Sequence, residues 1–284
     1  MTDTCPDTCP DPDTRTDPGP RPDAGTDPAR RAAPAPAGGG FAGAVGAEWT
    51  KLWSIRTPYA CLLVGILLTG VFTFYYGSIA RINDKPVQPL GNAPVSSVIL
   101  GQFVIVVLAM TIVTSEYATD SVRTSLQWVP VRHRLQLAKA VVAAAVSFTA
   151  GCLFAVLGMA VARAPFRGHA SFDPGKAVAQ TLAMGVYCAL VAVLTVGVAF
   201  ALRTAVGTLS AVFGLVSALP TICTGLGGSA LLAVNDFLPQ TAGGHFMLAD
   251  GDAPYPPAAA ILIVLAWAAA AHLTGRFVLR RRDG

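Results

Sequence analysis

The sequence predicts an all-α integral membrane protein, with six transmembrane helices preceded by an interfacial amphipathic helix, and three observations carry that expectation. Hydrophobic residues make up 53% of the chain and charged residues 13%, where soluble domains carry about 25% charged. Apolar runs near the roughly 20 residues needed to cross the hydrocarbon core recur from residue 58 onward. A tryptophan-bearing segment of helical period stands just before the first of them. No polar stretch beyond residue 57 is long enough to build a soluble domain.

Residues 1–40 are dominated by Pro, Asp, Thr, Gly and Ala, with almost nothing large and apolar to bury, and are expected to be a disordered cytoplasmic tail. The tail is acidic and proline-rich, unlike a secretory signal. Its Cys5 and Cys9 have half the spacing of a zinc site, but no further Cys or His lies nearby to complete four ligands. They read as free thiols, and no metal is assigned. Cys61, Cys152, Cys188 and Cys223 fall inside apolar runs, where cysteine behaves as a small hydrophobe.

From residue 41 the pattern changes: Phe41, Val45, Trp49, Leu52 and Trp53 fall at helical spacing, with Glu48, Lys51 and Arg56 on more polar positions. Trp49 and Trp53 suit the headgroup level, and Lys51 and Arg56 suit an anionic leaflet, so these four are the expected interfacial anchor. Pro58 marks the turn into the bilayer.

The six spans fall at about residues 58–76, 98–115, 140–161, 178–202, 205–226 and 257–278. An even number puts both termini on one side. With the termini inside, Lys51, Arg56, Arg123, Arg132, Arg134, Lys139, Arg203 and the basic C-terminus collect in the cytoplasm. Arg81, Lys85, Arg163, Arg167 and Lys176 remain outside, a minority, as the positive-inside rule requires. The 227–256 loop has no Lys or Arg and reads as external. Its apolar piece at 230–238, followed by Pro239 and Gly243-Gly244, reads as a short external or re-entrant helix lying against other spans rather than lipid.

The polar segment 116–139 interrupts the apolar chain. Its charges Glu116, Asp120, Arg123, Arg132, Arg134 and Lys139 cannot sit in hydrocarbon, where each would cost roughly 2.5–3.5 kcal/mol at mid-depth. It is expected to be a water-facing folded loop whose apolar residues Val122, Leu126, Trp128, Val129, Leu135 and Leu137 pack against a docked partner.

The spans are nearly free of ionisable groups, unlike those of most proton- or ion-coupled transporters. His272 reads as an interfacial or helix-contact histidine. No GxxxxGK[ST] occurs, because Gly175-Lys176 is followed by Ala177, so this chain is not its own ATPase. Small residues Gly207, Ser210, Ala211, Gly214 and Ala218 line the fifth span, for packing within one bundle or between subunits. Gln102, Thr111, Thr114 and Thr149 could line a polar path or bond their own helices.

The residues AEWTKLWSIR at 47–56, SEYATDSVRTSL at 115–126 and FLPQTAG at 237–243 together resemble the permease subunits of ATP-binding-cassette transporters of the type-2 exporter family. The resemblance covers most of the chain beyond residue 41. It implies a single permease domain over 41–284, with a coupling loop at 116–139 that docks on a separate cytosolic ATPase. Glu116, Tyr117, Asp120 and Arg123 would open the coupling element, and Arg132 and Arg134 would lie near its end. It further implies a permease homodimer or heterodimer in a bacterial plasma membrane, no enzyme activity in this chain, and ATP and Mg held by the partner ATPase. The other classes open to this sequence are an ATPase-independent channel or secondary transporter, and a non-transporting membrane immunity or sensor protein.

Overall fold

Proline and small polar caps decide where several of the helices begin. Helix α1 (Gly40–Ser54) is followed by α2 (Thr57–Ile82), which opens on Pro58, whose missing N–H is not needed in a first turn. After α3 (Asn92–Ala118) and α4 (Arg132–Phe166), helix α5 (Pro174–Leu202) starts at Asp173, whose carboxylate accepts the Gly175 N–H at 2.9 Å. It ends at Arg203, held at φ 60°. Thr204 then caps α6 (Ala205–Phe213), making a two-residue connection.

The fifth span continues through a π-helical turn at Gly214–Ala218 into α7 (Leu219–Leu226). Pro220 lacks the N–H that would reach the Val216 carbonyl, and the turn widens just ahead of it. Helices α8 (Ser229–Asp236), α9 (Pro239–Leu248) and α10 (Pro257–Arg282) complete the chain. Two short parallel strands, β1 (Gln88–Pro89) and β2 (Ala170–Ser171), pair the α2–α3 and α4–α5 connections.

In this computed structural model the chain is described at residues 40–118, 132–249 and 253–282. The predicted tail with Cys5 and Cys9, and Asp120, Val122, Arg123, Leu126, Trp128 and Val129 of the polar segment, lie outside the described residues.

Six helical stretches are long and apolar enough to cross a membrane, in the order expected, and the fold is that of an all-helical multi-pass membrane protein. Their ends run past the apolar windows: α2 reaches Ile82, α3 starts at Asn92 and α5 at Pro174. Hydropathy marks where side chains are apolar, whereas a helix continues as long as its backbone hydrogen bonds can be made.

The second span forms the centre, with 72% of its most apolar stretch buried, against 28% for the first and fifth and 22% for the last. Helix α5 packs on α4, α3 and α10, and α2 lies against α3 and α4. Phe154, Leu108 and Leu194 are buried in the shared core. At Gly197 a methyl group would run into the backbone of Ala271 and His272, so glycine sets the close approach of α5 and α10.

Two expectations are corrected. Segment 116–139 is not a loop throughout, because α3 continues to Ala118 and α4 starts at Arg132. Leu135, Gln136, Ala138 and Lys139 are buried while Arg134 and Leu137 are exposed, so one face of that end of the segment is packed protein and only the other is open. The 230–238 piece is only partly covered: Asn235 and Leu238 are buried and Trp267 of the last span donates to the Phe237 carbonyl, but Leu232, Val234 and Phe237 face outward. Helix α9 packs inward instead, with Ala242, Gly243 and Met247 buried and Gly243 under the Tyr187 ring.

Candidate functional site

Helix α1 places Ala44, Glu48 and Leu52 on one stripe, since residues four apart lie above one another. All three are buried, and α1 rests on α4. Glu48 therefore points into protein, although the sequence grouped it with the polar positions. A buried carboxylate needs a cation, and Lys139, one of the most deeply buried side chains at 1% exposure, supplies it from α4. Its Nζ lies 2.6 Å from Glu48 Oε2 and 2.9 Å from Glu116 Oε1 on α3, and donates also to the Ile112 carbonyl at 3.1 Å.

Lys51 closes the ring. Its Nζ lies 3.1 Å from Glu48 Oε1 and 2.9 Å from Glu116 Oε1, so each lysine touches both carboxylates. Burial alone would lower the Lys51 pKa, but the hydrogen bonds it donates to Glu116 and Glu48 and the charges of both carboxylates outweigh it and hold the ammonium above its ordinary value. The four charges cancel. The tetrad fastens α1 to the ends of α3 and α4 that flank residues 119–131.

The expected interfacial anchor and the expected coupling segment thus meet, through Lys51 and Glu116. The other expected residues are distributed around that contact. Trp49 is exposed and Trp53 half-buried, with ring centroids 5.9 Å apart, and the Tyr59 ring lies tilted at 5.3 Å from Trp53. Arg56 is exposed at the α1–α2 corner. Tyr117 and Arg132 lie on the last turn of α3 and the first turn of α4, with side chains outside the described residues. Arg134 is exposed one turn from Lys139. Asp120 and Arg123 lie outside the described residues.

Lys139 and Glu48 are the functional candidates that residue-by-residue reading missed. Their signal was present: a lysine and a glutamate at the edges of apolar runs are costly unless paired, and each had the other.

Two further polar contacts lie inside the bundle. Tyr187 donates its hydroxyl to Gln102 Oε1 at 2.6 Å, and Gln102 Nε2 donates to the Ile99 carbonyl at 3.2 Å. Gln136 Nε2 donates to the His272 carbonyl at 2.9 Å, joining α4 to α10, so His272 is a helix-contact residue. Thr111, Thr114 and Thr149 donate to carbonyls of their own helices, at 2.8, 3.0 and 3.0 Å. Ser210 and Ala211 are exposed, and a methyl on Gly214 would meet nothing within 4 Å, so the middle of the small-residue stripe is uncovered, while Gly207 and Ala218 at its ends are half-buried. Among the described residues no group of three or more His, Cys, Asp or Glu could hold a metal ion.

The arrangement is thus a charge-neutral clamp of two helix ends and a surface helix. No family model matches the sequence, and no curated protein matches it.

Proposed function

We propose that the chain is the membrane-spanning permease subunit of an ATP-driven exporter of the ATP-binding-cassette type. It couples hydrolysis by a separate ATPase subunit to substrate export by alternating access. One observation carries the reading: the Glu48–Lys139–Glu116–Lys51 tetrad locks α1 to the two helix ends on either side of residues 119–131. A force applied to that segment by a docked ATPase is delivered to the central helix α3, to α4 and to the surface helix as one rigid unit. The basic excess on this end of the bundle supports placing it, with both termini, in the cytoplasm of a bacterium.

ATP and Mg belong to the partner, since the chain has no phosphate-binding loop of its own. The outward-facing small residues of the fifth span, beside a span that is mostly unburied, support a second permease copy or a related chain as the other half of the transporter. The first test is composition: the tagged chain, extracted in mild detergent, brings a cytosolic ATPase with it. A folded chain that carries none, from native membranes as well as from detergent, contradicts the reading.

A further inference from the structure

The end of the bundle opposite the tetrad carries a cavity of about 630 Å³ between α8 and the first turns of α10. Leu262, Ile263 and Ala266 of α10 form its apolar wall, and Asp236, Phe237 and Tyr255 its rim. Leu262 and Ala266 are exposed along α10, so the mouth opens sideways, where the acyl chains of a surrounding bilayer would lie. The rim is held in place: Tyr255 donates its hydroxyl to the Asp236 carbonyl, and Trp267 Nε1 donates to the Phe237 carbonyl at 2.9 Å. The Phe237 and Tyr255 rings stand 5.9 Å apart, and His245 meets Tyr255 edge-on at 5.8 Å.

Charge decides what such a cavity takes. Asp236 makes no ion pair within 4 Å among the described residues. Residues 229–257 hold three aspartates, Asp236, Asp250 and Asp252, and no Lys or Arg. The carboxylate of Asp236 and burial both raise the Tyr255 pKa, burial the more, so the carboxylate charge is felt at the ring. A carboxylate beside aromatic faces is the chemistry that recognises an organic cation, and an apolar wall holds the hydrocarbon attached to it.

We propose that this cavity binds a cationic amphiphile, with the ammonium head between Asp236, Phe237 and Tyr255 and the apolar body along Leu262, Ile263 and Ala266. The inference deepens the export reading by naming a ligand class, and it rests on that reading for its place on the outer face. Its test reads binding without the ATPase, so either can fail alone.

The full chain in phosphatidylcholine nanodiscs is titrated with radiolabelled dodecyltrimethylammonium at about pH 8, where carboxylates are ordinarily ionised. Uptake by empty discs is subtracted. Saturable binding is expected, weakened about tenfold in Asp236→Asn and several-fold in Phe237→Leu. Asp236→Lys is expected to lose the cation and to gain saturable binding of dodecyl sulfate, a gain that misfolding does not produce. Equal competition by uncharged dodecyl maltoside would show an apolar groove for any acyl tail and overturn the proposal. So would unchanged cation affinity in Asp236→Asn, or absence of saturable binding, including absence because a second copy covers the cavity.

Discussion

Lys139 Nζ lies 2.6 Å from Glu48 Oε2, joining residues on α4 and α1 that are 1% and 4% exposed. Neither charge has enough water to survive alone, so α1 is not an ornament on the surface but the counter-charge of a buried lysine. That is why a helix expected to float at the headgroup level is fixed to the bundle.

Removing one partner of such a pair leaves an uncompensated buried charge. Lys139→Met is expected to cost about 3–5 kcal/mol. Combining it with Glu48→Leu should recover a large part of that loss, because two apolar groups in place of a buried pair are often tolerated. Thermal unfolding of the single and double variants in one detergent checks this; equal destabilisation by the single and double changes would show the pair is not coupled.

Lys51 gives the tetrad a pH signature. Its folded pKa lies above the ordinary 10.5, so its contribution is fully present below that value and is lost as pH rises through the raised one. Wild type should therefore lose stability from about pH 10 upward more steeply than Lys51→Gln. Parallel melting curves for the two proteins across that window would remove Lys51 from the account.

Tyr187→Phe deletes the hydroxyl that donates to Gln102 Oε1 in the bundle interior. The stranded amide oxygen is expected to cost about 1–3 kcal/mol. The double variant Tyr187→Phe with Gln102→Leu should lose less than the sum of the two single changes, and strict additivity in unfolding measurements would contradict the contact.

Much of the fold was legible because a bilayer imposes length and apolarity on each span, and both are written directly into sequence. What was not legible depends on which helix faces which. Glu48 sits at helical spacing among polar residues, and only the packing of α1 on α4 turns that position inward. Segment 116–139 read as water-facing because it is rich in charge, yet Lys139 is buried, since a charge can leave water when its partners come from other helices. The outward face of α8 escaped for the opposite reason: apolarity predicts burial, and a helix at the level of lipid can be apolar and uncovered. The small residues of the fifth span illustrate a further limit, because a stripe shows that something can approach closely without saying from which chain it comes.

The tetrad and the segment it brackets should be separable by mutation. Glu116→Ala is expected to lower the melting temperature, because it breaks the contacts to Lys51 and Lys139 at 2.9 Å each. Arg123→Ala is expected to leave the melting temperature unchanged and to weaken retention of the ATPase on purification. Unaltered retention in Arg123→Ala would remove that residue from the proposed docking surface.

The most direct test of the central claim is ATP turnover by the purified complex, comparing the wild-type chain with one in which residues 119–131 are scrambled and the tetrad is left intact. The account predicts that the scrambled chain inserts and melts as wild type does but carries neither the ATPase nor its turnover. A scrambled chain that still brings an active ATPase would show that this segment is not where the motor docks.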